Sequence, residues 1–332
     1  MKKVLSLAIA AALVAPAAVM ADATLFGKAH FIVENVDDGD TDVWGVDSVH
    51  SRIGVKGSED LGGGLKAVYH FEFKVNQDDG DGLDDRNQFI GLAGGFGTML
   101  LGRHDTPLKM SQGKFDEFGD LPNGDIGDVM PGEDRVDNVI AYVSPAMGGL
   151  TLVGALVSGE LGDGAGGELD GPADHISVAG LYSNGPIFLS LAYNSYDLGV
   201  VDDADPSLLR GTAIWNGGMW QAGVMYSTVD TDDLLGLDDS DAVGVSGHVK
   251  VGDGKIKAQY LVGDSPIISA SALGFEPGVK IAGGDNEVTQ FSVGYEHAMS
   301  KQTIAHVGFT SYEEDETEVE EDAFFAGLIH SF

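Results

Sequence analysis

From Leu65 to Val75 the chain alternates without a break: Leu65, Ala67, Tyr69, Phe71, Phe73 and Val75 fall on one side, Lys66, His70, Glu72 and Lys74 on the other. Successive side chains of an extended strand point to opposite faces, so this segment is a strand with one oily and one ionisable face. The core of a soluble sandwich would not accept four ionisable groups on one strand. Residues 24–34 repeat the pattern, with Leu25, Ala29, Phe31 and Val33 opposite Lys28, His30 and Glu34. Similar alternation recurs at 51–58, 86–94, 98–104, 137–144, 150–158, 174–184, 187–196, 208–216, 219–228, 241–251, 255–263, 287–297, 302–312 and 322–332. Together these make about sixteen strands, an even number within the range of single-chain outer-membrane barrels.

The connections alternate in character. Short glycine-containing turns stand at 60–64, 94–97, 216–218 and 252–254, whereas long Asp-, Glu- and Gly-rich loops stand at 37–47, 76–85, 159–173, 197–206, 229–240, 264–286 and 313–321. Short turns at one end and long loops at the other are what a barrel in the outer membrane uses. The longest connection, 104–134, carries Pro107, Pro122 and Pro131, which argue against unbroken regular structure across it. Aromatic residues near strand ends, among them Phe26, Tyr142, Trp215, Trp220 and Tyr295, suit interfacial girdles.

Composition narrows the compartment. Lys2 and Lys3 precede an apolar run from Val4 to Met20 that closes on Val19-Met20-Ala21, the pattern of a cleaved signal peptide over 1–21. The mature chain, 22–332, then begins at Asp22 and holds no further run of ~18 apolar residues, so membrane residence must come from strands. With 49 Gly, 10 Pro and no Cys, neither a long helical bundle nor a disulfide scaffold fits. The formal charge of −35, made two units more negative by loss of Lys2 and Lys3, excludes nucleic acid as a partner. The expected fold is all-β: a transmembrane antiparallel β-barrel.

Catalytic patterns do not appear: the chain has no Gly-x-Ser-x-Gly elbow, phosphate-cradling Gly-Lys-Ser/Thr loop or His-Glu-x-x-His zinc pattern, and no enzyme is expected. No cofactor is expected either. Asp78-Asp79-Gly80-Asp81-Gly82-Leu83-Asp84-Asp85 fails the EF-hand spacing, leaving weak divalent binding by a solvated acidic loop as the most it offers.

Five segments carry a family likeness: Ala23-Thr24-Leu25-Phe26-Gly27-Lys28, Ser51-Arg52-Ile53-Gly54-Val55-Lys56-Gly57, Glu59-Asp60-Leu61-Gly62-Gly63-Gly64-Leu65-Lys66-Ala67, Phe89-Ile90-Gly91-Leu92 and Phe96-Gly97-Thr98-Met99-Leu100-Leu101-Gly102-Arg103. With them the chain resembles the general, non-specific trimeric porins of Gram-negative bacteria. The terminal Phe332 is similar to the residue that the outer-membrane assembly machinery reads in that family, although His330 stands where an aromatic is usual. The resemblance implies an outer-membrane location, sixteen strands, a homotrimer among lipid and lipopolysaccharide, and a third loop, here 104–134, folded into the lumen as a constriction. It also implies a transverse field, with Lys28, Arg52, Arg86 and Arg135 as the basic wall and Asp116, Glu117 and Asp120 as the acidic loop.

The expected function is passive diffusion of small hydrophilic solutes and ions through a water-filled channel. Carboxylates crowd the loops at the mouth, so cations are expected to be preferred. A substrate-specific channel and an acidic surface adhesin or structural barrel fit the same pattern. Saturable flux would mark the first, and absence of conductance the second.

Overall fold

The computed structural model describes residues 23–76, 82–158, 171–197, 205–232, 238–269, 280–315 and 319–332. The expected signal peptide, 1–21, lies outside the described residues, as do Asp78 to Asp81 of the acidic loop.

One antiparallel sheet runs through β1 (Thr24–Asp37), β2 (Asp42–Ser48), β3 (Arg52–Gly62), β4 (Leu65–Val75), β5 (Leu83–Gly94), β6 (Gly97–Asp105), β7 (Arg135–Val143), β8 (Leu150–Val157) and β9 (His175–Asn184). It continues through β10 (Ile187–Tyr196), β11 (Ser207–Asn216), β12 (Trp220–Asp230), β13 (Ser240–Val251), β14 (Gly254–Ser269), β15 (Lys280–Ala298), β16 (Thr303–Glu314) and β17 (Val319–Ser331). The ring closes where β1 pairs with β17, from Lys28↔Ser331 to Asp37↔Asp322. Both β2 and β3 pair with β1 on its other edge, β2 from Phe31↔Ser48 to Asp37↔Asp42 and β3 from Thr24↔Lys56 to Lys28↔Arg52. They form one interrupted strand, and the barrel therefore has sixteen strand positions. Closure leaves no unpaired edge, which a sheet surrounded by hydrocarbon requires.

Parity sorts side chains as alternation predicts. Along β13, Ala242 and Ser246 are buried inside, whereas Val243 and Val245 are exposed outside, Val245 by 52%. Leu101, Leu191, Phe324 and Leu328 are likewise more than half exposed, the apolar outer face of a membrane-spanning barrel. Trp215 and Trp220 stack on that face, their ring centroids 6.4 Å apart. Phe26 differs from its expected girdle role: its ring lies 5.2 Å from His70 and under the Lys56 ammonium, on the inner wall, because it shares the parity of Lys28.

The four expected short turns are where the sequence puts them. The β3–β4 turn needs Gly63 and Gly64, whose φ of 61° and 82° lie in the left-handed region. Two expected loops are strand instead. Most of 37–47 is β2, and β14 and β15 run on to Ser269 and back from Lys280, narrowing the expected loop at 264–286. Along β2 no side chain is fully buried, so burial imposes no alternation there.

The long connection spans 106–134, between β6 and β7. Its first turn is α1 (Pro107–Met110), with Pro107 at the start and the Thr106 hydroxyl accepting from the Lys109 N–H at 3.1 Å. The segment lies against the inner wall rather than over the mouth. The Ser177 hydroxyl accepts from the Leu108 N–H, Ser190 donates to the Ser111 carbonyl at 2.6 Å, and Thr310 donates to the Pro122 carbonyl at 2.6 Å. Phe115, Ile126, Val129 and Met130 pack on Ile214, Met225, Leu261 and Val288 of β11 to β15. Burial of such side chains contributes about 1.5–3 kcal/mol each. The wall makes room: a Cβ on Gly244 would stand 2.9 Å from the Phe115 ring.

Candidate functional site

Phe115, Ile126, Val129 and Met130 are spent on β11 to β15, and Phe118 and Leu121 on a cluster with Ile32 and Phe325 of β1 and β17, which leaves Asp116, Asp120, Asp125 and Glu133 for the gap facing β1 to β7. A cavity of about 840 Å³ lies there. His50, Lys74, Arg86 and Arg135 line it on the wall side, and Asp116, Asp120, Asp125 and Glu133 on the loop side.

The predicted wall cations are each tied to a carboxylate. Lys28 Nζ is 3.7 Å from Asp120 Oδ2, across the gap. Arg52 Nη1 is 4.0 Å from Glu72 Oε1, and Arg86 Nε is ion-paired with the same oxygen. Arg135 holds Asp105 Oδ1 at 2.9 Å and donates to Asn87 Oδ1 at 2.9 Å. Lys28, Arg52 and Arg86 project inward by strand parity. Arg135 does so from the first position of β7, where the loop rejoins the wall.

The three predicted loop acids part company. Asp120 faces the gap, between Lys28 and His50, whose Nδ1 is 2.5 Å from Asp120 Oδ1. Burial raises the affinity of its carboxyl for a proton, but the contact with His50 and the charges of Lys28 and Arg86 outweigh this and hold it well below the usual range. Glu117, expected in the lumen, is turned to the opposite wall and its side chain is only 4% exposed. It meets Lys255 Nζ at 3.0 Å and His248 Nδ1 at 2.5 Å, and accepts from Gln221 Nε2 at 3.0 Å. Next to it, Lys257 donates to the Glu117 carbonyl and sits over the Phe118 ring at 4.4 Å. A carboxylate pulled out of water needs such a set of donors. Glu117 is thus an anchor of the loop.

Asp116 lies between these extremes. It lines the cavity, yet burial first, then the charge of Asp125, with Glu133 and Asp120 adding to it, push its carboxyl well above the usual range, against the pull of the Phe118 N–H. A carboxyl whose pKa rises on folding binds its proton more tightly when folded, so its ionisation costs stability. Stability is therefore greatest at low pH and falls as pH rises from about 4 through the raised folded value. Asp116→Asn is expected to remove this loss. The variant's urea midpoint should exceed that of the wild type at pH 8 and converge with it at pH 4.5; an equal difference at both pH values would refute the assignment.

The sequence did not single out His50, Glu72, Lys74, Asp105, Asp125 or Glu133. Glu72 and Lys74 were visible on the polar face of β4, but nothing local marks Glu72 as the shared partner of two arginines. At the carboxyl terminus, Phe332 completes the seam: Gly27 and Phe332 exchange backbone hydrogen bonds at 2.9 and 3.1 Å, and the Phe332 ring fills the space a Cβ on Gly27 would need.

A closed barrel with an inward loop and opposed charges across its lumen can now be set beside known proteins. The model of the Gram-negative porin family matches residues 6–317. The chain is 30% identical to the major outer membrane protein P.IB of Neisseria meningitidis serogroup A, over 96% of each chain. It is 29% identical to outer membrane porin protein 32 of Delftia acidovorans, over 77% of this chain and 72% of that one. Among solved structures it is similar to the anion-selective porin from Comamonas acidovorans, with a TM-score of 0.74 and 22% identity over 94% of this chain and 100% of that one. It is also similar to OmpT of Vibrio cholerae in its trimer form, with a TM-score of 0.65 and 18% identity over 95% and 100%. Matched along nearly its whole length, the chain belongs to the Gram-negative porin family and is an outer-membrane porin.

Proposed function

We propose that this porin is a homotrimeric, non-specific diffusion channel that prefers cations, with the gap between the inserted loop and β1 to β7 as its selective constriction. The charge balance of the lining carries this reading. Asp47, Asp105, Asp116, Asp120, Asp125, Asp128 and Glu133 line the cavity against Lys74, Lys109, Arg86 and Arg135. Even with Asp116 and Glu133 protonated, carboxylates outnumber these cations. Opposed charges order the water between them, so apolar solutes are disfavoured while small hydrophilic ones pass. In a wet lumen one charge pair at 4 Å is worth on the order of 1 kcal/mol, which makes selectivity a bias rather than a lock.

The trimer proposal draws support from OmpT, which is described in a trimer form. The Comamonas acidovorans porin is described as anion-selective, but it shares the fold at 22% identity and does not fix the lining of this lumen. The relatives are porins, and no catalytic step is assigned to this chain. Phe332 is proposed as the assembly signal, and 1–21 as a leader removed before Asp22.

Reversal potentials across a planar bilayer in a tenfold KCl gradient test the selectivity. The expected sign corresponds to potassium crossing faster than chloride. Preference for chloride would refute it, and silent membranes would refute the channel itself.

A further inference from the structure

Glu34 sits on the inner face of β1 between two neighbours whose side chains offer it nothing polar, Gly45 of β2 across one edge and Phe325 of β17 across the other. Phe325 and Ile32, which shares the Glu34 face of β1, belong to one buried apolar cluster, and Glu34 itself is only 7% exposed. Its Oε2 is closed off from solvent and has no hydrogen-bond partner. The remaining contact is with a second acid. Asp47, diagonally across on β2, lies in hydrogen-bonding contact with the Glu34 carboxyl, and among the described residues neither group is ion-paired with a lysine, arginine or histidine. The two carboxyls converge beside Gly45: the point where a Cβ on that glycine would stand is 3.5 Å from both Glu34 Oε1 and Asp47 Oδ2. A buried carboxyl that faces another, with no base at hand, needs a proton or a cation between them.

We propose that Glu34 and Asp47 form a binding site for a hard divalent cation, of the Mg²⁺ or Ca²⁺ class, at the rim of the constriction. Carboxylate oxygens are the donors such ions select, and Mg²⁺ in particular is usually held by one or two carboxylates with water completing its shell. Neighbouring ligands on an octahedron with bonds of about 2.0–2.1 Å stand roughly 2.9 Å apart, the spacing of two oxygens in hydrogen-bonding contact. Glu34 supplies the enclosed oxygen and Asp47 the accessible one. Asp47 lines the cavity of about 840 Å³, so the ion enters from the lumen and keeps its waters on that side. Gly45 leaves the ground beside the two carboxyls free of any side chain. With two protein carboxylates the dissociation constant is expected on the order of 10⁻⁴ to 10⁻³ M. A bound ion ties β1 to β2 and sets positive charge at the edge of the cavity that Asp120 and Asp125 line, which lowers its preference for monovalent cations.

Thermal unfolding of the full chain in detergent at pH 7.5 reads the site without relying on conduction. Against KCl of matched ionic strength, MgCl₂ or CaCl₂ should raise the wild-type melting temperature and saturate, with a half-effect at roughly 0.1–1 mM. Glu34→Gln and Asp47→Asn each remove one ligand charge and should move that half-effect at least about tenfold higher. Asp37→Asn, at the exposed end of β1, should leave it in place. If one of the two ligand variants does not fold, the other is read alone. A half-effect that neither variant moves, or a wild type that answers the divalent salts no more than KCl, would overturn the proposal and leave the pair holding a shared proton only. A second readout rests on the lumen being a cation-preferring channel. In planar bilayers, about 5 mM MgCl₂ should lower the potassium-to-chloride permeability ratio roughly twofold more in the wild type than in Glu34→Gln. Equal decreases in the two would assign the effect to other carboxylates and overturn the proposed influence on permeation. A wild type without conductance would overturn the channel reading, while the melting temperatures still decide the site.

Discussion

Replacing Arg210 with leucine is expected to lower resistance to urea unfolding by about 3–5 kcal/mol at pH 8, the usual loss when one partner of a buried ion pair is removed. Arg210, on β11, is fully enclosed. Its Nη1 is ion-paired with Glu133 Oε1, its Nη2 donates to the Pro131 carbonyl at 2.5 Å, and its Nε donates to the Ser227 hydroxyl at 3.0 Å. One guanidinium thus joins the end of the inserted loop to two strands of the far wall. Leucine would leave the Glu133 carboxylate without its counter-charge and the Pro131 carbonyl without its donor. Burial already pushes the Glu133 carboxyl upward, even with Arg210 and Lys109 opposing it. Once Arg210 is gone, Glu133 should bind a proton more readily still, so the deficit should shrink between pH 8 and pH 5. The double variant Arg210→Leu with Glu133→Gln should recover much of the loss, because a neutral amide needs no counter-charge. Equal urea midpoints for the wild type and Arg210→Leu would show that the pair contributes nothing to holding the loop.

Arg210 also marks the limit of what the pattern of the chain reveals. Its strand was legible, because Leu209 and Arg210 obey the same two-residue period that hydrocarbon and water impose on every spanning segment. Sixteen such segments and the short glycine turns could be read this way, each from a local cause, whereas the inward fold of the loop was implied by the family resemblance. The partners of the loop could not be read. Glu117 looks like Asp120 in the sequence, one acid among several near Phe118. It points away from the lumen because His248 and Lys255, about 130 residues later, wait on the opposite wall. The bulge at His50, where Phe31 faces Ser48 and Lys28 faces Arg52, is equally hidden. It arises from a mismatch of one residue between β1 and the broken strand beside it, and register between strands has no trace in either strand alone. The strand at β2 was missed for a related reason: Val43, Trp44 and Val46 are all exposed, so burial imposes no alternation there.

Neutralising Arg52 and Arg86 together, as Arg52→Gln with Arg86→Gln, should raise the cation-to-anion permeability ratio roughly threefold to tenfold, the scale of two unit charges acting on a passing ion in water at low salt. Both guanidiniums converge on Glu72, whose side chain is 12% exposed. Wild-type wall therefore presents two cations against one carboxylate, a net positive face opposite Asp120 and Asp125. With both arginines gone, Glu72 stands uncompensated beside Lys28, Lys74 and Arg135, and the face loses much of its positive excess. The single variants distinguish the two contributions. Arg86 lines the cavity and is ion-paired directly with Glu72, whereas Arg52 stands 4.0 Å from it, so Arg86→Gln leaves the carboxylate less compensated than Arg52→Gln does. Adding Glu72→Gln to the double variant removes that uncompensated charge and should bring the ratio part of the way back. Reversal potentials for the wild type and the four variants decide the matter. If the ratio does not move in the double variant, Arg52 and Arg86 serve only to tie β3, β4 and β5 together through Glu72, and the transverse field must be set by Lys28, Arg135 and the loop alone.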